Sequence, residues 1–212
     1  MIKKNEYKIT LLITSLIILL PVVIGFLLWE DLPAQIATHF STNNEPDGWS
    51  SKWMTVVGLP FFLFVIQWLV FLLTKNDPKK KNISPKIFRV VLWLIPMISV
   101  LVYISTYMTA LGYQVNIGLL INLLVGIVFI VLGNYLHKIK QNYTIGIRIP
   151  WTLNSKENWN RTNRLASWLF IGGGLLFVLN AYLQQGWLLL VIVVAMIVLP
   201  LGYSFRLFKR GV

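Results

Sequence analysis

Cysteine is absent from the 212 residues. That excludes disulfides, thiolate nucleophiles and cysteine-ligated metals. Charge is scarce as well: 12% of residues are Asp, Glu, Lys or Arg, where a soluble domain carries about 25%. Acids are the rarest, seven in all, beside two histidines. Chemistry built on paired carboxylates or histidine-held metals has little to draw on. No polar stretch is long enough to build a soluble core of its own, so one membrane domain, 1–212, is expected.

What fills the chain is apolar: 57% of residues are hydrophobic and the mean hydropathy is +0.71. Runs of about 20 apolar residues recur throughout, each long enough for a hydrocarbon core of about 30 Å. They predict six transmembrane helices, at 9–29, 54–73, 87–109, 117–136, 165–183 and 187–206. The short alternating strands of a membrane β-barrel are missing. The fold class is therefore all-α polytopic membrane protein. The first run follows Lys3, Lys4 and Lys8. It is longer than a signal-peptide core of about 7–15 residues and no small-residue cleavage site follows. It is expected to stay as the first helix, with Trp29 at the interface.

The charges set the orientation. Eighteen of the nineteen Lys and Arg residues fall on one side of this six-span arrangement; the other holds Lys52 with Glu30, Asp31, Glu45 and Asp47. The positive-inside rule makes both termini cytoplasmic, N-in/C-in. It also places loop 137–164 inside and loop 30–53 outside, and makes 110–116 and 184–186 short external turns. The formal charge of +12 then reads as topogenic charge and attraction to membrane lipids, not as a nucleic-acid surface. Connector 75–86, with five lysines, reads the same way.

The middles of the spans hold no Asp, Glu, Lys, Arg or His. Ion-coupled transport normally needs such a group. The polar residues inside are Gln67, Asn122 and Asn180. Gly118, Asn122 and Gly126 share a helix face, with Gly133 near it, which suits close helix packing. Gly172-Gly173-Gly174 serves packing or a bend. Prolines 21, 60, 96 and 200 allow kinks.

Both long loops are expected to be ordered. In 30–53, Leu32-Pro33 favours extended chain and Gln35–Phe40 alternates like a short strand. Asn43-Asn44 and Pro46-Asp47-Gly48 are turn signals, and Trp49 and Trp53 suit the interface. His39 with Glu45 and Asp47 lacks a recognisable metal-ligand spacing, so a hydrogen-bonded turn is expected and no metal or cofactor. In 137–164, Gly146 permits a bend and Pro150 halts regular structure. Arg148, between Ile147 and Ile149 and close to Pro150-Trp151, reads as partly buried and in need of a partner. Asn154 with Glu157 has the form of a capping box, starting a helix that runs into the fifth span. On it Trp159, Thr162 and Ala166 share a face.

The same residues resemble a known family. Gly133-Asn134-Tyr135, Asn142, Ile145-Gly146-Ile147-Arg148-Ile149-Pro150-Trp151-Thr152-Leu153, Trp159 and Asn163-Arg164-Leu165-Ala166-Ser167 are similar to the signature of the SdpI family of bacterial immunity proteins. Leu111–Ile117 resembles that family too. Leu32-Pro33, His39-Phe40 and Glu45–Lys52 resemble the DUF1648 module that often precedes the signature. The resemblance divides the domain into a DUF1648-like module, 9–75, and an SdpI-like module, 111–206. It departs at His137, where relatives have Pro, and at Asn163, where they have His. Ala37 and Asn44 replace a common Pro and Gly.

The resemblance implies protection of a Gram-positive cell against a secreted, membrane-active peptide toxin. It also implies that a small helix-turn-helix repressor is held at the membrane. The signature residues are Asn134, Asn142, Gly146, Arg148, Pro150, Trp151, Thr152, Trp159 and Arg164. Those of the external loop are Pro33, His39, Phe40, Glu45, Asp47, Gly48 and Trp49. An enzyme is not expected, since Asn163 removes a candidate histidine. A small transporter or flippase for a peptide or lipid, without ion coupling, is the alternative.

Overall fold

The computed structural model describes residues 4–41 and 44–212. Lys3 of the charge pattern and Asn43 of the turn signal lie outside the described residues. Helices α1 (Lys4–Leu27), α2 (Leu59–Lys75), α3 (Pro85–Ala110), α4 (Ile117–Leu136), α5 (Pro150–Asn154), α6 (Lys156–Leu183) and α7 (Gly186–Lys209) follow one another, with strands β1 (Gln35–Phe40) and β2 (Pro46–Ser51) between α1 and α2. Among the described residues, six helices are long and apolar enough to cross a membrane, α5 being the short one left out. Much of each span is exposed Leu, Ile, Val and Phe. Such surface is stable against lipid and not against water. The protein is an all-α polytopic membrane protein.

The expected spans are all present: the apolar membrane-crossing stretches run Tyr7–Leu27, Met54–Lys75, Pro85–Ala110, Ile117–Leu136, Lys156–Leu183 and Gly186–Lys209, within three residues of the expected ends except at the start of the fifth. There α6 begins at Lys156, because the loop helix and the span form one helix of 28 residues. A π-helical turn, Met54–Gly58, leads into α2. Pro60, the second residue of α2, donates no backbone hydrogen bond, which favours a widened turn at this point.

The chain divides into two compact units: 1–72 with 89–120, and 73–88 with 121–212. In the first, Leu32, Ile36, Val56, Tyr103 and Tyr107 form a buried cluster. Tyr103 donates to Thr55 O at 3.1 Å and Tyr107 to Pro21 O at 2.8 Å. Gly25 makes the approach possible, since a Cβ there would lie 2.6 Å from both Tyr107 Oη and Val56 Cγ1. Fully buried Gln67 ties three helices, donating from Nε2 to Thr14 Oγ1 at 2.9 Å and to Leu92 O at 2.8 Å.

Strand β1 appears where the alternation placed it and pairs antiparallel with β2, with Ile36 facing the core. Pro46-Asp47-Gly48 corrects the sequence expectation. These residues lie in β2, not in the turn. The turn comes earlier, where Ser41 N donates to Glu45 O at 2.8 Å and Asn44 takes φ 65°. Asn44 is held there by its own side chain: Nδ2 donates to Val115 O and Oδ1 accepts from Gly118 N, each at 3.1 Å. Pro46 can open the strand because a first residue needs no ladder donor. Lys52 also turns inward, donating to Trp29 O at 2.8 Å with its ammonium 5.0 Å from the Trp29 ring centre.

In the second unit α4 and α6 cross at backbone distance. A Cβ on Gly126 would lie 2.7 Å from Gly174 O, and one on Gly133 would lie 2.9 Å from Ser167 O. Asn180 Nδ2 donates to Asn122 Oδ1 at 3.1 Å, and Ser167 Oγ to Gly133 O at 2.6 Å. Small residues permit this contact and the amides and hydroxyl lock it. Gly118 does not join this crossing as expected; it lies in the first unit, where its N–H meets Asn44. The glycine run packs and does not break α6. Gly174 faces α4, and Gly173 faces Met196 of α7.

Candidate functional site

Loop 137–164 carries no strand, so its backbone groups take side chains as partners. Asn142 is the main one. Its Oδ1 accepts from Thr144 N at 2.8 Å and Ile145 N at 2.7 Å; its Nδ2 donates to Lys140 O at 2.9 Å and Ile145 O at 3.1 Å. That uses the four hydrogen bonds a carboxamide can make, and Asn142 is fully buried. Asn163 does the same for the next segment, accepting from Ile147 N at 2.9 Å and donating to Trp159 O at 3.0 Å. Between them Gly146 takes φ 113°, and a Cβ there would lie 2.8 Å from Asn163 Oδ1. Only glycine fits both the angle and the space.

Trp159 is the floor of the loop. It is fully buried among Ile87, Leu136, Ile139 and Ala166, and its Nε1 donates to Ile139 O at 2.7 Å. Thr162 and Ala166 are buried on the same face, as the spacing indicated. Thr152 closes the top: its Oγ1 accepts from Ile149 N at 3.0 Å and lies 2.8 Å from Ile147 O. Pro150 starts α5 where it was expected to halt structure. It stands at the first helical position, where a missing N–H is no loss. Trp151 packs against Phe205 and Phe208 of α7, with ring centres 5.0 and 6.0 Å away.

The α6 cap is Ser155, not Asn154, whose place is the last residue of α5. Ser155 Oγ accepts from Asn158 N at 3.2 Å, and Glu157 pairs with Arg161. Arg148 is also corrected. It is exposed, and its guanidinium donates to Tyr143 O. The backbone around Gly146 turns its side chain out of the loop while Ile145 and Ile147 pack toward Trp159. Asn134 and Arg164 are exposed on α4 and α6.

The connector belongs to this site, a role the sequence reading missed. Asp77 is 3% exposed. It accepts from Tyr143 N at 2.8 Å, from Lys79 N at 2.7 Å and from the Thr144 hydroxyl. Gln141 joins the same parts, donating to Thr152 O and Leu153 O, each at 2.9 Å, and accepting from Lys79 Nζ at 2.7 Å. Asn82 donates to Gln141 O at 2.7 Å. A lone acid followed by proline in a run of lysines was the available signal. Asn158 was missed too. It links α6 to α7, donating to Ser204 O at 3.0 Å and accepting from Ser204 Oγ at 2.6 Å.

In the external loop, His39 Nδ1 lies 2.5 Å from Asp47 Oδ1 and Glu45 is not part of the pair. The pair joins β1 to β2, where the sequence suggested a hydrogen-bonded turn. Among the described residues no group of three His, Asp or Glu is placed to hold a metal. A Cβ on Gly48 would lie 2.9 Å from His39 Cβ. Pro33 and Trp49 are exposed, while Phe40 is half-buried.

These features define a multi-pass cell-membrane protein with a structured basic loop and a structured hairpin cap. Residues 138–204 match the SdpI/YfhL protein family, and residues 16–64 match a domain of unknown function, DUF1648. The chain is 29% identical over 207 residues to "Immunity protein SdpI" of Bacillus subtilis (strain 168), covering 94% of this chain and 96% of that one. No solved structure matches it. The similarity to the SdpI family model thus lies in the C-terminal part of the chain and that to DUF1648 toward its N-terminal end.

Proposed function

We propose that this protein is a non-enzymatic membrane immunity protein that protects its cell from a secreted, membrane-active peptide toxin. The observation that carries the reading is the nearly end-to-end similarity to an immunity protein. The hairpin cap is the surface that meets the toxin. The exposed face of loop 137–164 is the output surface, where a small helix-turn-helix repressor docks. Its exposed Lys138, Lys140, Arg148, Lys156 and Arg164 support a partner with acidic patches.

Expression in toxin-sensitive bacteria tests this. Survival is expected to rise on exposure to secreted membrane-active peptide toxins. No gain across several toxins, from protein shown to be inserted, sinks the immunity reading. Arg148→Ala tests the output surface. Arg148 is exposed, so its loss costs the fold little. The variant is expected to insert normally and to lose protection or repressor capture; wild-type behaviour in both assays leaves Arg148 a topogenic charge only.

A further inference from the structure

Helices α4 and α6 run antiparallel along their shared seam: Asn122 meets Asn180, Gly126 meets Gly174 and Gly133 meets Ser167. Each residue turns a right-handed helix by about 100°. In an antiparallel pair, the residue that follows each contact therefore turns to the same side of the seam. Asn134, after Gly133, and Trp168, after Ser167, share that side. Arg164, one turn before Trp168, lies there too. All three are exposed. His137, also exposed, bridges the two helices, with Nδ1 3.1 Å from Ser167 Oγ. Ser167 gives its one hydroxyl hydrogen to Gly133 O at 2.6 Å, so Nδ1 of His137 is the donor. In the neutral ring Nε2 is then an acceptor, and it has no partner among the described residues.

These groups stand at headgroup level. Asn134 is two residues from the end of α4, and Arg164 directly precedes the apolar part of α6. Hydrocarbon offers such side chains no partner. The second unit offers Arg164 no acid: Glu157 pairs with Arg161, and Asp77 accepts from Tyr143 N, Lys79 N and the Thr144 hydroxyl. Arg164 suits a phosphate, while Asn134 Oδ1 and His137 Nε2 accept from hydroxyls. Deeper in the bilayer the same side is bare. A Cβ on Gly172, one turn past Trp168, would meet nothing within 4 Å. An acyl chain fits there, beside exposed Leu175 and Leu179. We infer that this side of the α4–α6 seam binds one anionic phospholipid whose headgroup carries free hydroxyls, of the phosphatidylglycerol type. Arg164 holds the phosphate, Asn134 and His137 accept from the glycerol hydroxyls, and one chain lies along Trp168 and Gly172. The site is independent of the immunity reading. It takes Arg164 and leaves Lys140, Arg148 and Lys156 to a cytoplasmic partner.

The full chain in detergent, titrated with phosphatidylglycerol, phosphatidylserine or phosphatidylcholine of the same acyl chains, tests the site; native mass spectrometry counts the lipids bound. One phosphatidylglycerol per chain is expected to bind about tenfold more tightly than phosphatidylcholine. It is expected to bind about fivefold more tightly than phosphatidylserine, whose headgroup lacks hydroxyls. Arg164→Gln is expected to remove the preference over phosphatidylcholine, and Asn134→Leu to cut that over phosphatidylserine to about twofold. Both residues are exposed, so both variants are expected to fold. Lys81→Gln, an equal loss of exposed charge outside the site, is expected to bind like the wild type. Equal losses in Lys81→Gln and Arg164→Gln make the binding a general charge effect and overturn the site. Wild-type binding by Arg164→Gln overturns it as well. Equal affinity of the wild type for the two anionic lipids overturns the hydroxylated headgroup as the ligand.

Discussion

The first compact unit carries Lys3, Lys4, Lys8, Lys52 and Arg89 against Glu6, Glu30, Asp31, Glu45 and Asp47. The second carries fourteen Lys and Arg residues against Asp77 and Glu157 alone. The whole formal charge of +12 therefore belongs to the second unit. Buried polarity divides in the opposite sense. Among the described residues, unpartnered buried side-chain atoms in the first unit are Ser15 Oγ, Ser41 Oγ, Thr55 Oγ1, Gln67 Oε1, Ser99 Oγ and Thr109 Oγ1; the second has Thr74 Oγ1. The loop of the second unit closes its hydrogen bonds through Gln141, Asn142, Asn158 and Asn163. A closed network fixes one conformation, because each partner lost exposes a buried group. The neutral unit leaves these buried atoms unmet, so its polar groups fix its conformation less tightly.

Asn142→Leu strikes the closed network hardest. It orphans four backbone groups and is expected to cost about 3 kcal/mol or more. Trypsin cleavage after Lys138 and Lys140 in inside-out vesicles should rise about 100-fold; an unchanged rate removes Asn142 as the organiser. Gly126→Val forces bulk against Gly174 O and should cost about 2–3 kcal/mol. Thermal unfolding in detergent measures it, and an unchanged midpoint means that the α4–α6 crossing yields. Asp77→Asn keeps the shape but loses the charge that three donors share. The expected cost is about 1–2 kcal/mol, read as faster trypsin cleavage after Lys79, Lys80 and Lys81. Gln67→Leu makes the sharpest contrast. Its network is half open, so an apolar replacement should change stability by less than about 1 kcal/mol. A loss as large as that of Asn142→Leu collapses the distinction between the units.

Period and charge made the spans readable, because lipid imposes a simple rule on long apolar helices. Helix α4 runs from Ile117 to Leu136 as expected, and strand β1 likewise matches its alternation. Local chemistry was readable where one residue type dominated, as with the buried face of Trp159, Thr162 and Ala166. It was less so where neighbours compete. Asn154 and Ser155 can each cap a helix, and α5, which Asn154 ends, settled the choice. Asp77 was hidden because its partners, Tyr143 and Thr144, lie more than sixty residues away. Arg148 looked buried from its isoleucine neighbours, but the positive φ of Gly146 reverses which side chains face inward.

Helix α6 runs unbroken through 28 residues, from the Ser155 cap to Gln184 in the left-handed region. At 1.5 Å per residue it is a rod of about 42 Å, some 12 Å longer than the hydrocarbon layer. Asn158, Trp159 and Asn163 are set in that surplus length, where they bind α7, Ile139 and Ile147. Pivoting the rod by about 10° at its outer end sweeps the Lys156 end through about 7 Å. Every bond the loop makes to that end then shifts together, so a small tilt among lipids becomes a side-chain-sized stroke on the charged face.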